Sequence, residues 1–299
     1  KSLPSTTSKP KGKASKPLAA IKTLSIIALH HNRLEFLDQC LASLAAQTDT
    51  DFEVVLVDDG STAENRAQLP EILAKYKFKK TQISLIENSY PSAARNHGAA
   101  IATGQSVMFM DDDNVLAPQT IAAFKTALET QDVVLSFYQI FSGDDAPVLK
   151  STSNPLPTHS SLTYSFAGLL PGSGLFYNIV GNSCFMMRKD LFIDLGGFSA
   201  KYGVGLEDYA FLLKAAMAHD LRYVVLPEPY LYFRLHGDKI RNSHVDWRSP
   251  QRLQAGHWRV IDDIAATTNT LPASALAYAR QLHELTQYQY VRRPRPNYF

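Results

Sequence analysis

Two cysteines, Cys40 and Cys184, are all that 299 residues contain. That scarcity excludes a disulfide framework and a thiolate zinc site, and it fits a reducing compartment. Cys40 falls on the apolar face of a helical pattern and reads as core. No apolar run approaches the length of a membrane span, and no signal-peptide core is present. Neither sign of charge dominates: 30 Lys and Arg stand against 28 Asp and Glu, a net charge of +2. Bulk electrostatics therefore gives no case for nucleic acid, and any charged site must be local. Gly203-x-Gly205 lacks the third glycine of a dinucleotide fingerprint and follows no convincing strand, which removes a dinucleotide-binding dehydrogenase. There is no internal repeat. What remains is a chain of 33.2 kDa, 45% hydrophobic and 19% charged, long enough to bury the core of one large α/β domain or two smaller ones.

Residues 1–22 are rich in Ser, Thr, Pro and Lys, with almost nothing to bury, and read as a flexible tail or linker. Short apolar runs at 24–30, 52–57, 83–86 and 106–110 alternate with helical patterns, the first carrying Leu34, Leu37, Leu41 and Leu44 and a later one spanning 92–103. Near-continuous apolar strands alternating with helices predict a mostly parallel sheet covered on both faces. In such sheets ligands sit beyond the carboxyl ends of the strands. His30, His31, Asn32, Asp58, Asp59 and the run Asp111-Asp112-Asp113 all fall there. Beyond them come a helix after Pro118 to about Thr130, a strand over 133–139, and a Ser, Thr, Pro and Gly-rich stretch over 142–175 expected to be a substrate lid. Residues 181–188 look strand-like, Glu207-Asp208 opens a helix to about Ala218, and two strand runs follow at 223–226 and 230–235. From Ser249 two helical stretches form a C-terminal extension, with 23–245 as the main domain and 246–299 as the extension.

The run from Ser106 to Asn114 organises the rest. Five residues of buried-strand character lead into three consecutive carboxylates, which repel one another and resist desolvation unless paired or bound to metal. A hard divalent cation, Mg²⁺ or Mn²⁺, relieves that cost, taking one or two carboxylates from protein and its other ligands from water and a substrate phosphate.

Several motifs in order carry a resemblance: Asn32-Arg33, Cys40-Leu41-x-Ser43-Leu44-x-x-Gln47, Val57-Asp58-Asp59-Gly60-Ser61, Ala94-Arg95-Asn96, Asp111 to Asp113, Gly196-Gly197-Phe198 with Glu207-Asp208, and Arg234-x-His236. Over residues 23–243 the chain resembles the inverting glycosyltransferases of family 2, built on the GT-A nucleotide-sugar fold. The resemblance implies a UDP-sugar donor, a glycan or glycolipid acceptor and a divalent metal, in polysaccharide biosynthesis. It implies that Asp58 accepts a hydrogen bond from the base, with His30, Asn32, Arg33, Asp59, Arg95, Asp111 and Asp112 around the nucleotide and Lys239 and Arg241 near its phosphates. Asp113 is the expected metal ligand, with His236 completing the shell. Asp208 is the expected general base, since an inverting displacement needs one carboxylate behind the anomeric carbon to take the acceptor proton. Glu207 is expected to bind acceptor hydroxyls beside it. Tyr177, Asn182 and Trp247 are weaker acceptor candidates, and Trp258 reads more as core.

Leu29, His31 and Tyr90 depart from the family pattern around the nucleotide pocket, Tyr90 standing where a glycine is usual, and Asp220 replaces another usual glycine. A haloacid-dehalogenase-like phosphatase fails because Val57 occupies the place of its nucleophilic Asp. A nucleotidyltransferase shares the need for acids and metal but lacks here its Gly-rich, Lys/Arg-bearing loop after the first strand. A catalytically silent scaffold or glycan-binding module is the non-enzyme alternative. The expected location is cytoplasmic, with the basic run Arg292-Arg293-Pro294-Arg295-Pro296 as a contact for an anionic inner membrane face or a partner subunit.

Overall fold

A computed structural model describes residues 23–143, 163–164, 181–202, 205–218, 221–235, 250–267 and 273–281. Strand β1 (Leu24–His30) enters helix α1 (Leu34–Ala45), β2 (Phe52–Asp59) enters α2 (Ala63–Ala74), and β3 (Lys80–Ile86) enters α3 (Tyr90–Ile101). Then come β4 (Ser106–Asp111), the short β5 (Val115–Leu116), α4 (Thr120–Leu128) and β6 (Val133–Ser142). The remaining described elements are β7 (Thr163–Tyr164), β8 (Met186–Arg188), α5 (Lys189–Asp194), α6 (Glu207–Ala218), β9 (Tyr223–Leu235), α7 (Pro250–Thr267) and a helical segment over 273–281.

The described strands form one sheet in the order β3-β2-β1-β4-β8-β6-β9-β5, with β7 on β6. The first four pair in parallel, as the alternation of strands and helices predicts, while β8 joins β4 and β6 antiparallel and makes the sheet mixed. Alternate residues of each central strand serve opposite faces. Ile27, Leu29, Val55, Val57, Val107 and Phe109 enter one cluster with α3, α5, α6 and α7. Ile26, Ala28, Val54, Leu56, Met108 and Met110 enter the other with α1, α2 and α4. Ile261 and Ile264 of α7 lie in the first cluster, so this helix shares the core of the sheet.

Some boundaries differ from the sequence reading for local reasons. Helix α3 begins at Tyr90 because Pro91, with its fixed φ and no donor, suits the first helical turn. The strand-like run at 181–188 pairs only from Met186 onward: Gly181 has φ +149, and Cys184 N–H turns back to Asn182 Oδ1 at 3.0 Å. The two runs at 223–226 and 230–235 are one strand, β9, whose register against β6 shifts where Phe137 meets Pro229. A bulge there accommodates a proline that cannot donate to the ladder. The expected lid over 142–175, the tail over 1–22 and the basic run over 292–296 lie largely or wholly outside the described residues. No helix among the described residues is long and apolar enough to cross a membrane.

Gly98 lets α3 lie against the sheet. A Cβ there would stand 2.4 Å from Ile27 Cγ2 and 3.0 Å from Val57 Cγ2, both fully buried side chains. Gly98→Ala is expected to destabilise the fold by about 1–3 kcal/mol, the usual cost of overpacking, despite alanine's better helix propensity. Thermal unfolding checks this: a melting temperature lowered by several degrees is the expected result, and a rise would contradict the close packing.

Candidate active site

The parallel register brings the acids to one rim. His30 stands opposite Asp58, and Leu29 opposite Asp111, so β1, β2 and β4 deliver their polar ends side by side. Each strand end is largely buried, which makes the pairing of every carboxylate decisive for what it can do.

At β2, Asp58 is fully buried, and its Oδ1 accepts from Ser61 N at 3.2 Å and from Arg66 Nε at 2.6 Å. Its Oδ2 is buried with no hydrogen-bond partner. Arg66 comes from the first turns of α2, whose N-terminus Thr62 caps by accepting from Asn65 N. Its guanidinium also donates to the Ile86 carbonyl. Asp59, read from sequence as lining the nucleotide pocket, fastens the approach to α3: its Oδ1 accepts from Ser89 N at 2.7 Å and Ser89 Oγ at 3.0 Å. Next to it Gly60 has φ +82, and a Cβ there would meet Asn88 at 2.7 Å, so the turn after β2 touches the loop before α3. Tyr90, where the family pattern has glycine, keeps the left-handed backbone with φ +68 and leaves its ring 62% exposed beside that loop.

At β1, Asn32 also takes the left-handed conformation, with φ +57. Its Oδ1 accepts from Thr62 N at 2.8 Å and Asn65 Nδ2 at 3.1 Å, and its N–H donates to Ser61 Oγ at 2.9 Å. His31 Nδ1 lies 2.8 Å from the Asp59 carbonyl, which can only accept, so Nδ1 carries the proton and Nε2 accepts from Asn32 Nδ2. These residues tie the first two strand ends together.

At β4 the three aspartates divide. Asp112 is fully buried, accepting from His30 Nδ1 at 2.8 Å, from His31 N at 3.3 Å and from the Arg33 guanidinium. Asp112 and His30, both expected around the nucleotide, are sealed from solvent against each other. Asp113 is 14% exposed and accepts from Arg33 Nη1 at 2.6 Å. Asp111, 25% exposed, accepts from Arg95 Nη2 at 2.6 Å. Burial disfavours the Arg33 cation, yet Asp112, Asp113 and Asp111 outweigh it and hold its pKa above the ordinary value.

Arg95, expected at the nucleotide side of the donor, bridges two acids. Its side chain is 5% exposed and spans from Asp111 to Glu207, whose Oε1 accepts from Nη1 at 2.8 Å. Glu207 is buried at the start of α6, with Oε2 accepting from Gly205 N at 2.6 Å. Asp208 beside it is half-buried, and its Oδ1 accepts from Tyr209 N at 2.7 Å. Burial, then the adjacent Glu207 charge, pushes the Asp208 carboxyl up to about 7; Asp111 adds to the rise, while the Tyr209 N–H and Arg95 oppose it.

Sequence reasoning gave no role to Arg66, Ser183 or the side chain of Arg234. Ser183 Oγ reaches Asp111 Oδ2 at 3.4 Å, next to the half-buried Asn182. Arg234 lies between the rings of Phe36 and Phe141, 4.5 Å from each centroid, and donates to the Asp113 carbonyl at 3.0 Å and Gln39 Oε1 at 2.6 Å. It supports the Asp113 backbone from below. The Arg-x-His spacing pointed at it, but only packing identifies the aromatic pair. Trp258 is half-buried on α7. His236, Lys239, Arg241, Tyr177 and Trp247 lie outside the described residues. A cavity of about 240 Å³ between Gly196-Gly197 and α6, with Lys201 and Lys214 on its wall, is lined by none of these acids and stands apart from the site. Among the described residues no three His, Cys, Asp or Glu side chains form a metal cage.

Known proteins share this architecture. Residues 25–196 match the family described as Glycosyl transferase family 2. A protein of Nostoc sp. (strain PCC 7120) named an uncharacterized glycosyltransferase is 33% identical over 239 residues, 78% of this chain and 71% of its own length. The poly(ribitol-phosphate) beta-glucosyltransferase of Bacillus spizizenii is 30% identical over 132 residues, 42% of this chain and 20% of that protein. Among solved structures, S. aureus TarS 1-349 in complex with UDP-GlcNAc superposes with a TM-score of 0.60 at 24% identity, covering 90% of this chain and 73% of that one. A mannosyltransferase of Pyrobaculum calidifontis in complex with GDP-Man and Mn²⁺ gives 0.53 at 16% identity, covering 97% and 81%. With its mixed sheet, its acids gathered at the strand ends and this breadth of match, the chain has the GT-A fold and belongs to glycosyl transferase family 2, an enzyme family of glycosyltransferases.

Proposed function

We propose that this glycosyltransferase moves a sugar from a UDP-sugar to a hydroxyl of a glycan or glycolipid acceptor, with inversion and with a divalent ion, in the building of a polysaccharide. The observation that supports the reading is the Asp111–Arg95–Glu207 chain, which ties the first turn of α6, where Asp208 lies, to the end of β4. Donor and acceptor chemistry then share one cleft. Related proteins support the substrate class: one relative is a teichoic acid poly(glycerol phosphate) polymerase, another an O-antigen biosynthesis protein.

Asp58 holds the base. Arg66 and Ser61 occupy its Oδ1, leaving the buried Oδ2 as an acceptor with an unmet hydrogen bond, which suits the imide N–H of uracil. Asn32, Asp59, His30 and Asp112 fix the loops around that pocket. Arg33 meets the diphosphate, and Lys239 and Arg241 add positive charge to it. Asp208 takes the acceptor proton, its carboxyl poised near neutrality by burial and by Glu207. Glu207 fixes the start of α6, and Asn182, Tyr177 and Trp247 bind the acceptor.

The donor set fits a hard cation. Asp113, part-exposed at the end of β4, offers one of the one or two carboxylates that Mg²⁺ or Mn²⁺ takes from protein, and Asp111 stands at the same strand end toward the donor. When bound, the ion supplies Lewis-acid stabilisation of the charge on the departing nucleoside diphosphate. Asp113, with His236, would hold it.

Titration of UDP, TDP and GDP with and without Mn²⁺, read by thermal unfolding, tests the reading. UDP is expected to raise the melting temperature mainly with metal, and release of UDP from a UDP-sugar is expected with an acceptor. Failure of every nucleoside diphosphate to stabilise the protein would overturn it, and binding without turnover would favour a silent scaffold. Asp113→Ala should erase the metal-dependent part of the shift. Asp208→Asn is expected to lower transfer by about 10²- to 10⁴-fold while UDP affinity changes little; a parallel loss of UDP affinity would contradict the role of base. Because a base works only when ionised and this carboxyl is raised to about 7, the transfer rate should fall as pH drops below neutrality and level off above it. That acid limb should vanish in Asp208→Asn, whose residual rate lacks the group.

A further inference from the structure

We infer that Arg95 is a positioning residue for the base: its guanidinium locks the first turn of α6, which carries Asp208, onto the donor end of β4. The inference rests on Asp208 being the base. The family resemblance put Arg95 against the nucleotide, and the geometry leaves little room for that. Its two terminal nitrogens are committed to Asp111 and Glu207 at 2.6 and 2.8 Å, its side chain is 5% exposed, and its Nε is buried without a partner. The Phe198 ring lies 5.7 Å from the guanidinium carbon.

The neighbouring residue repeats the function. Asn96 accepts from Phe198 N at 2.9 Å and donates to Phe198 O at 2.7 Å, a two-point clamp on the stretch of chain that leads toward α6. Two successive side chains of α3 therefore anchor both Phe198 and Glu207. Phe198 in turn packs on Phe109 of β4 with ring centroids 5.0 Å apart, two residues before Asp111. Lysine would keep the charge but lose the planar fork that serves two carboxylates at once.

Charge gives the brace a second consequence. Asp111, Glu207 and Asp208 bring three carboxylates against one cation. The charged groups facing Asp208 are Glu207 on its own helix, Arg95 from α3 and Asp111 from β4. From the other packed elements, α7 sets His257 against the Tyr209 ring, and Lys201 is held by Asp263. Arg95 is thus the nearby cation that favours the ionised base, opposed by both acids it binds.

The test uses Arg95→Lys and Glu207→Gln in the full chain, with UDP-sugar turnover followed across pH. For Arg95→Lys we expect kcat to fall roughly tenfold to a hundredfold, the effect of a small misplacement of a reacting group. The donor KM and the UDP dissociation constant should stay within about threefold of wild type, while the acid limb of the rate profile moves to higher pH, because one ammonium cannot serve both carboxylates and leaves the Glu207 charge beside Asp208 without its cation. Glu207→Gln keeps the shape of its side chain but removes a negative neighbour and frees Arg95, so its acid limb should move to lower pH. Opposite displacements are a signature that a purely structural role would not produce, and the Gln variant decides the matter even if the Lys variant does not fold. A loss of UDP affinity in step with kcat in Arg95→Lys would overturn the inference and return Arg95 to the nucleotide. Unmoved acid limbs in both variants would also overturn it. If instead Asp208→Asn retained transfer, the assignment of the base itself would fail, whatever Arg95 does.

Discussion

Buried negative charge at the carboxyl ends of β2 and β4, on either side of β1, is the constraint around which this molecule is built. Asp58, Asp111, Asp112 and Asp113 lie where water is scarce, and each needs a cation or donor in reach. Three arginines meet that need from three different helix starts: Arg33 before α1, Arg66 in α2 and Arg95 in α3. Removing one partner of such a buried pair typically costs ~3–5 kcal/mol, because the remaining charge is left unpaired. The loops that hold the site and the helices that cover the sheet are therefore fastened by the same contacts.

That arrangement has a functional side. Guanidinium groups neutralise Asp111 and Asp113 at the end of β4. Asp208 is placed differently. It stands one residue from the buried Glu207, and its own burial together with that charge holds its proton more tightly than in water. On the proposed function, the end of β4 stabilises charge and Asp208 accepts a proton.

The aromatic packing beneath the site explains why so many remote residues converge. Phe109, Phe185, Phe192, Phe198 and Phe211 touch one another under β4 and α6, with Phe185 and Phe211 stacked at 5.6 Å. Edge-on and tilted ring pairs fix orientation as well as burying area. Phe198 links this cluster to Asn96 and Arg95, which is how a glycine-rich turn distant in sequence comes to position the start of α6.

The sequence determined the alternation of apolar strands and helices, and with it the parallel half of the sheet and the rim where its acids gather. Those features are local, since strand periodicity and a polar strand end are written in consecutive residues. It also carried the order of motifs that identifies the family. Which acid meets which cation was decided by tertiary structure. Asp111, Asp112 and Asp113 are chemically identical neighbours, yet the middle one turns inward to His30 while the outer two stay partly open. Arg95 reads as a helix-borne cation available to any anion, and only the meeting of β4 with α6 commits it to Asp111 and Glu207. The merging of two runs into β9 likewise needed the partner strand, because a bulge is a property of a pair. Pairing through space depends on register and packing, and neither is encoded in the spacing of residues along one segment.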